Sequence, residues 1–231
     1  MMEPIKSIKK LRKPPAVQNW VRHMQRRTDD TALALFNFVK NAPRHSLSKI
    51  YSIIKQVVVD GISDEQAYKC LAKIENPRVQ EYGDQILKPL LPYIRARGWQ
   101  GIEIFKDMAE FYPVGANVNV PVRPTFVIND DGQLVPYFVI GWTEIGLSLY
   151  QKRIFSTIVT ETILSLEEFI GSDAVIVCVP RYKFSKTERE VVSWKASSYE
   201  LLSIDEKADL FDRYGNALNQ AEQMILNELG A

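Results

Sequence analysis

Nucleophilic, acid–base and metal chemistry near neutral pH is carried most often by histidine and cysteine, and this chain has two of each: His23, His45, Cys70 and Cys178. No two of them stand at the short spacing that a zinc site uses, so no metal centre is expected. A Ser-His-Asp or Cys-His site would have to recruit a histidine from the first 45 residues. Neither G-x-x-x-x-G-K-[ST] nor G-x-G-x-x-G occurs, so no glycine loop cradles a phosphate and no cofactor is expected. A G-x-S-x-G nucleophile elbow is also absent. The strongest chemical signal left is charge. Residues 1–27 hold eight cations, Lys6, Lys9, Lys10, Arg12, Lys13, Arg22, Arg26 and Arg27, against one acid, Glu3. This end therefore carries +7 on a chain whose net charge is +1.

Cations at this density neutralise phosphates and release counterions, which gives salt-dependent binding to DNA or RNA. Trp20 and His23 lie among the later cations and are placed to stack on bases. A solvated tail is the bland alternative. A membrane surface is the third, because Ile5, Ile8 and Leu11 alternate with Lys6, Lys9 and Lys10. Arg181, Lys183, Lys186, Arg189 and Lys195 make a second, mixed-charge stretch that reads as a solvated loop.

The elements that must position these groups follow from periodicity and breakers. Lys13-Pro14-Pro15 interrupts any helix, so residues 1–15 are expected to form a mobile arm, with residues 1–27 as a basic arm running into the first helix. Residues 28–97 read as a helical subdomain, with Ser63 and Gln66 spaced for a capping box and Pro77 at a first helical position. Pro89 and Pro92 predict a kink or an early break in its last helix. Residues 98–231 read as an α/β domain. Residues 102–112 fit either a short strand or a short helix. Trp99, Phe105, Phe111 and Tyr112 cluster at this junction, where they glue two subregions.

Asn129-Asp130-Asp131-Gly132 predicts the tight turn of a hairpin across 118–142. A helix starting at Gly146 or Ser148 is expected to reach about Ile170. Residues 174–179 form a short apolar run typical of a strand buried on both faces, and 190–195 a further strand. A long helix from Ser203 or Ile204 closes the chain. The fold class is α+β: a helical part, then a small mixed sheet whose antiparallel hairpin is flanked by helices.

A helix, a hairpin, a helix and a strand in this order resemble the PD-(D/E)XK nuclease fold over residues 102–180. That resemblance implies a metal-binding Asp near the start of the first hairpin strand and an E-x-K near the end of the second. Thr125 stands where the Asp would be, and residues 139–144, Val-Ile-Gly-Trp-Thr-Glu, contain no E-x-K. Gln151 is similar to a glutamine that some members carry in the next helix. Asp130, Asp131 and Glu144 are the carboxylates open to a divergent metal-dependent nuclease.

With 46% hydrophobic and 25% charged residues, the composition excludes a wholly disordered or fibrous chain. No apolar run reaches the roughly 18–20 residues of a membrane span. Two cysteines are too few for a disulfide framework, so a reducing, cytoplasmic setting is expected. Together these features predict a non-catalytic binding or regulatory protein contacting nucleic acid through its basic N-terminal region. The alternatives are the divergent nuclease, or a module that docks a protein partner.

Overall fold

The computed structural model describes residues 4–41, 46–104, 109–144 and 146–229. The protein is α+β with a long C-terminal helix. Its helices are α1 (Pro4–Leu11), α2 (Val17–Val21), α3 (Thr28–Lys40), α4 (Ser48–Val59), α5 (Asp64–Ala72), α6 (Pro77–Ala96), α7 (Leu149–Thr162) and α8 (Ile204–Leu229). The strands are β1 (Gly101–Ile102), β2 (Glu110–Pro113), β3 (Asn119–Val122), β4 (Phe126–Asp130), β5 (Gln133–Ile140), β6 (Val175–Cys178) and β7 (Val192–Lys195).

A five-stranded sheet of order β1-β4-β5-β6-β7 forms the middle layer. Its hairpin β4–β5 turns on Asp131 and Gly132, both at positive φ, with the Gly132 amide donating to Asn129 Oδ1 at 2.8 Å. Positive φ at both central residues gives the hairpin the twist its strands require. β5 and β6 run parallel, joined through α7, and every other pair in the sheet is antiparallel. Alternate side chains point to opposite faces. Val127, Phe138, Ile140 and Ile176 enter one core with α1–α3, α7 and α8. Phe126, Ile128, Val139 and Val177 enter the other, under α4–α6. Burial on both sides is why 174–179 reads as an uninterrupted apolar run. The helices of 28–97 are thus shared between layers: α3 lies along α8, whereas α4–α6 cover the far face of the sheet.

Four expectations are corrected. Residues 4–11 are a docked helix: Leu11 is 3% exposed and Ser7 2%, and both face the body. Burying one leucine contributes about 2 kcal/mol, which outweighs the fraction of a kcal/mol from the exposed Arg12–Glu222 pair. An eight-residue helix is unstable alone, so this packing is what holds it, and Pro14-Pro15 merely ends it. Second, of the kink or early break expected in α6, the early break does not occur: the helix continues through Pro89 and Pro92 to Ala96, with Ile86, Leu87, Leu90, Leu91 and Ile94 all buried against its neighbours. Third, residues 119–122 pair with β2 in a separate two-stranded sheet, so the hairpin begins only at Phe126. Fourth, the helix after Ser148 ends at Thr162, and a 3₁₀ turn at Glu167–Phe169 precedes β6. Residues 102–112 split into β1 and the start of β2, and 190–195 contains β7. His45 and Phe105 lie outside the described residues.

Candidate nucleic-acid interface

Lys6, Lys9, Lys10 and Lys13 stand exposed at spacings of three, four and seven, and so share the outer side of α1 and its end. Ser7, Ile8 and Leu11 make the inner side. Lys10 Nζ lies 5.4 Å from the centre of the Phe38 ring. Arg12 donates to Glu222 at 2.7 Å, which raises its pKa and spends one cation on docking to α8. Arg27 sits within 4 Å of Asp29 and Asp30 at the start of α3, where acids also suit the helix dipole.

Arg22 and Arg26 are set by a different device. Ser148 caps α7, with Gln151 returning the bond to the Ser148 amide. The Gln151 side-chain amide is buried and donates to the carbonyls of Arg22 (3.0 Å) and Met24 (2.9 Å). This tie fixes the α2–α3 connection on α7. The Arg22 guanidinium then lies 4.3 Å from the Trp142 ring centre, and the Trp142 indole N–H donates to Asn19 Oδ1 at 3.2 Å. Burial against the ring lowers the Arg22 pKa, with Glu144 opposing. Arg26 and Arg213 both approach Tyr150, at 5.4 and 5.6 Å from its ring centre. Arg213 spends its N–H groups on the carbonyls of Gln25 and Arg26, the Tyr150 hydroxyl and Asp209, whereas the exposed Arg22 and Arg26 are held over their rings by contacts that leave an N–H edge for an anion.

Trp20 is removed from any interface, since it is fully buried edge-on to Tyr214 at 5.3 Å. His23 is half-buried against Phe38, and burial lowers its pKa to about 4. The junction aromatics do not form one cluster. Trp99 packs with Tyr93, Phe126 and Tyr137 under α6, whereas Tyr112 meets Phe211 on the opposite side of the sheet.

The end of the hairpin that the nuclease resemblance singles out is occupied by other chemistry. Thr125 Oγ1 accepts the Val139 amide at 2.9 Å, and its own amide donates to Tyr137. Tyr51 Oη accepts the Gly141 amide at 3.1 Å. The Arg189 guanidinium is buried between the ends of β5 and β6. Its Nη1 donates to the carbonyls of Gly141 (3.1 Å), Trp142 (3.1 Å) and Val179 (2.9 Å), and Nε points at Gln85 Oε1 at 3.4 Å. Among the described residues it has no carboxylate partner. Burial, with Arg181 nearby, lowers its pKa. Asp130 and Asp131 sit at the turn, a strand length of about 14 Å from Phe126 at ~3.4 Å per residue, while Glu144 follows the other end of β5. The three carboxylates are not brought together. No group of three or more His, Cys, Asp or Glu among the described residues is placed to hold a metal ion.

Open α/β sheets bind ligands at the carboxyl ends of their parallel strands. Here the crevice at that end, lined by Ile140, Trp142, Glu144, Cys178 and Trp194, is too narrow for a water molecule. Burial raises the Cys178 thiol to about 11, which keeps it protonated and unreactive. Beside this closed end, residues 180–191 form a structured loop. Arg181 bridges Arg189, its amide reaches the Thr143 carbonyl at 2.8 Å, and the Tyr182 amide donates to Glu188. In sequence this stretch looks like a solvated loop, and its alternation of Arg, Tyr, Lys and Phe is the one local sign of a built surface. Among the described residues, no helix is long and apolar enough to cross a membrane. No family model matches the chain, and no curated protein matches it.

Proposed function

We propose that this is a non-catalytic binding or regulatory protein that contacts DNA or RNA through its N-terminal basic region. The observation that carries the reading is the stripe of Lys6, Lys9 and Lys10 on the outer side of a helix whose inner side is buried, with Lys13 exposed just past its end. Three cations on a docked helix and a fourth just past its end meet a phosphate chain with less ordering cost than a free arm would bear. Arg22 and Arg26, each over an aromatic ring, extend the positive surface toward the sheet.

A second reading rests on a separate observation. The order α6, β4–β5 hairpin, α7 and β6, with β5 parallel to β6, supports a PD-(D/E)XK-like scaffold. In that reading the scaffold has lost its metal chemistry: Thr125 stands in place of the Asp, and the end of β5 is held by the Arg189 cation with no cluster of carboxylates among the described residues.

The test is fluorescence anisotropy of labelled 20-nucleotide single strands and duplexes across 50–200 mM salt. Log K should fall linearly with log salt, with a slope between about −3 and −5 for four to six neutralised phosphates. Lys6, Lys9 and Lys13 changed to Gln should reduce that slope by roughly 2. Deleting α1 is the wrong perturbation, because it would uncover the site of Leu11. Absence of binding at 50 mM salt would discard the reading and leave a protein partner as the alternative. Metal-dependent cleavage would reinstate the nuclease.

A further inference from the structure

Phe184 is the most exposed large apolar side chain among the described residues, at 103% of its extended reference. It is also held at φ +66°, a left-handed conformation that an aromatic residue seldom adopts. Neither feature helps the fold: the ring buries nothing, and the backbone is strained. The surrounding loop nevertheless enforces this geometry. The Ser185 amide donates to the Tyr182 carbonyl at 3.0 Å, and Ser185 Oγ accepts the amides of Thr187 (3.3 Å) and Glu188 (2.8 Å). At the base, Glu190 donates to the Pro180 carbonyl, and Arg181 pairs with Arg189, which is itself anchored in the sheet. Tyr182, Lys183 and Lys186 are exposed around the tip. An aromatic face flanked by ammonium groups and pre-set on a braced loop is the arrangement that stacks an unpaired base while holding the adjoining phosphates.

We propose that the 181–188 loop is a base-stacking finger for single-stranded nucleic acid, with Phe184 as the stacking ring and Lys183 and Lys186 as phosphate contacts. The proposal rests on the nucleic-acid reading above and narrows it to unpaired strands, because duplex bases offer no free face without intercalation. The loop is continuous with the Arg22 surface. Arg181 and Arg189 hold the carbonyls of Thr143 and Trp142, and Arg22 covers the Trp142 ring. A strand crossing the finger would therefore run on toward α2. A membrane is the poorer occupant, since Phe184 and Tyr182 are the only large apolar groups exposed on this loop and bury too little apolar area to anchor it.

The experiment compares the full-length protein with Phe184→Ala and Phe184→Gly variants, using three labelled probes. These are a 20-nucleotide oligothymidine, the same length of abasic phosphodiester, and a 20-base-pair duplex. Loss of one stacked base should weaken oligothymidine binding roughly 5- to 150-fold in both variants. Binding of the abasic probe should be unchanged. Phe184→Gly should melt no lower than the parent, since it relieves the positive φ, and this separates lost stacking from lost folding. Equal oligothymidine affinity in parent and variants, with the lysine-stripe variants still weakened, overturns the finger and leaves the basic-surface reading standing. No binding of any probe by the parent overturns both. Phe184-dependent sedimentation with phosphatidylserine vesicles, without oligothymidine binding, assigns the loop to membranes and overturns the proposal.

Discussion

Replacing Arg189 with Met tests whether a buried guanidinium closes the end of the sheet. The side chain's Nη1 serves three main-chain carbonyls, and Nε adds only a long contact to Gln85. Nη1 carries two hydrogens, so at most two of the three bonds are strong and the third is shared. Hydrogen bonds from a charged donor contribute about 1.5–3 kcal/mol each, which puts two at roughly 3–6 kcal/mol. Relief from burying an unpaired cation offsets part of this and so sets the size of the net loss. Methionine keeps the packing of the stem and takes the donor from the buried Gly141 and Val179 carbonyls and the partly buried Trp142 carbonyl. We expect a net loss of about 3 kcal/mol, read by urea titration. In a chain of this size that corresponds to a melting temperature lower by roughly 6–12 °C. Amide exchange at Arg181 and Glu190 should accelerate with it, because both hold the base of the 180–191 loop. A loss below about 1 kcal/mol would show that desolvation cancels the bonds, and the structural role assigned to Arg189 would be refuted.

Other consequences are directly measurable. Burial holds the His23 pKa near 4, below its ordinary 6.5, so protonation favours the unfolded chain; stability should fall as pH drops from 6.5 toward 4, and His23→Phe should flatten that limb in pH-dependent melting. The Glu206 carboxyl is pulled to about 2, first by its bond to Arg153 and then by the Ser203 amide; its stabilising effect is present above pH 4.5 and lost as pH falls toward 2, so Glu206→Gln should blunt acid unfolding in that window. Gly132→Ala places a side chain at φ +89° in the hairpin turn and should cost about 1 kcal/mol by chemical denaturation, with no steric clash to confuse the result. An unchanged midpoint would mean that the turn relaxes to another form.

Features fixed by local chemistry were legible in the sequence. The Asp131-Gly132 turn, the Ser63–Gln66 capping box and the apolar strand 175–178 each depend on a few neighbouring residues, and each forms where expected. Features decided by distant partners were not. Whether Leu11 is buried depends on α8, some 200 residues away, and the proline pair after it carries no information on that packing. Trp20 sits among cations in the sequence, yet Tyr214 removes it from the surface. Residues 119–122 look like part of the hairpin expected across 118–142, because nothing in the local sequence names β2 as their partner. The basic residues of the candidate interface were readable as charge. That Gln151 would tie down the carbonyls of Arg22 and Met24 was not, because a glutamine looks the same in sequence whether capped, buried or solvated.

The packing of α3 and α1 along α8 also sets a timetable for biosynthesis. Residues 17–39 leave the ribosome early carrying Trp20, Val21, Leu35 and Val39, all of which find their cover in the core that α8 completes. At ~5–20 residues per second, Trp20 waits roughly 10–40 s before Tyr214 is made. During that interval the nascent chain holds an apolar surface with a dense cluster of positive charge beside it. Surface of that kind is prone to aggregate while it stands open, so the hazard during synthesis is set by the delay before α8 arrives and is separate from the stability of the finished fold.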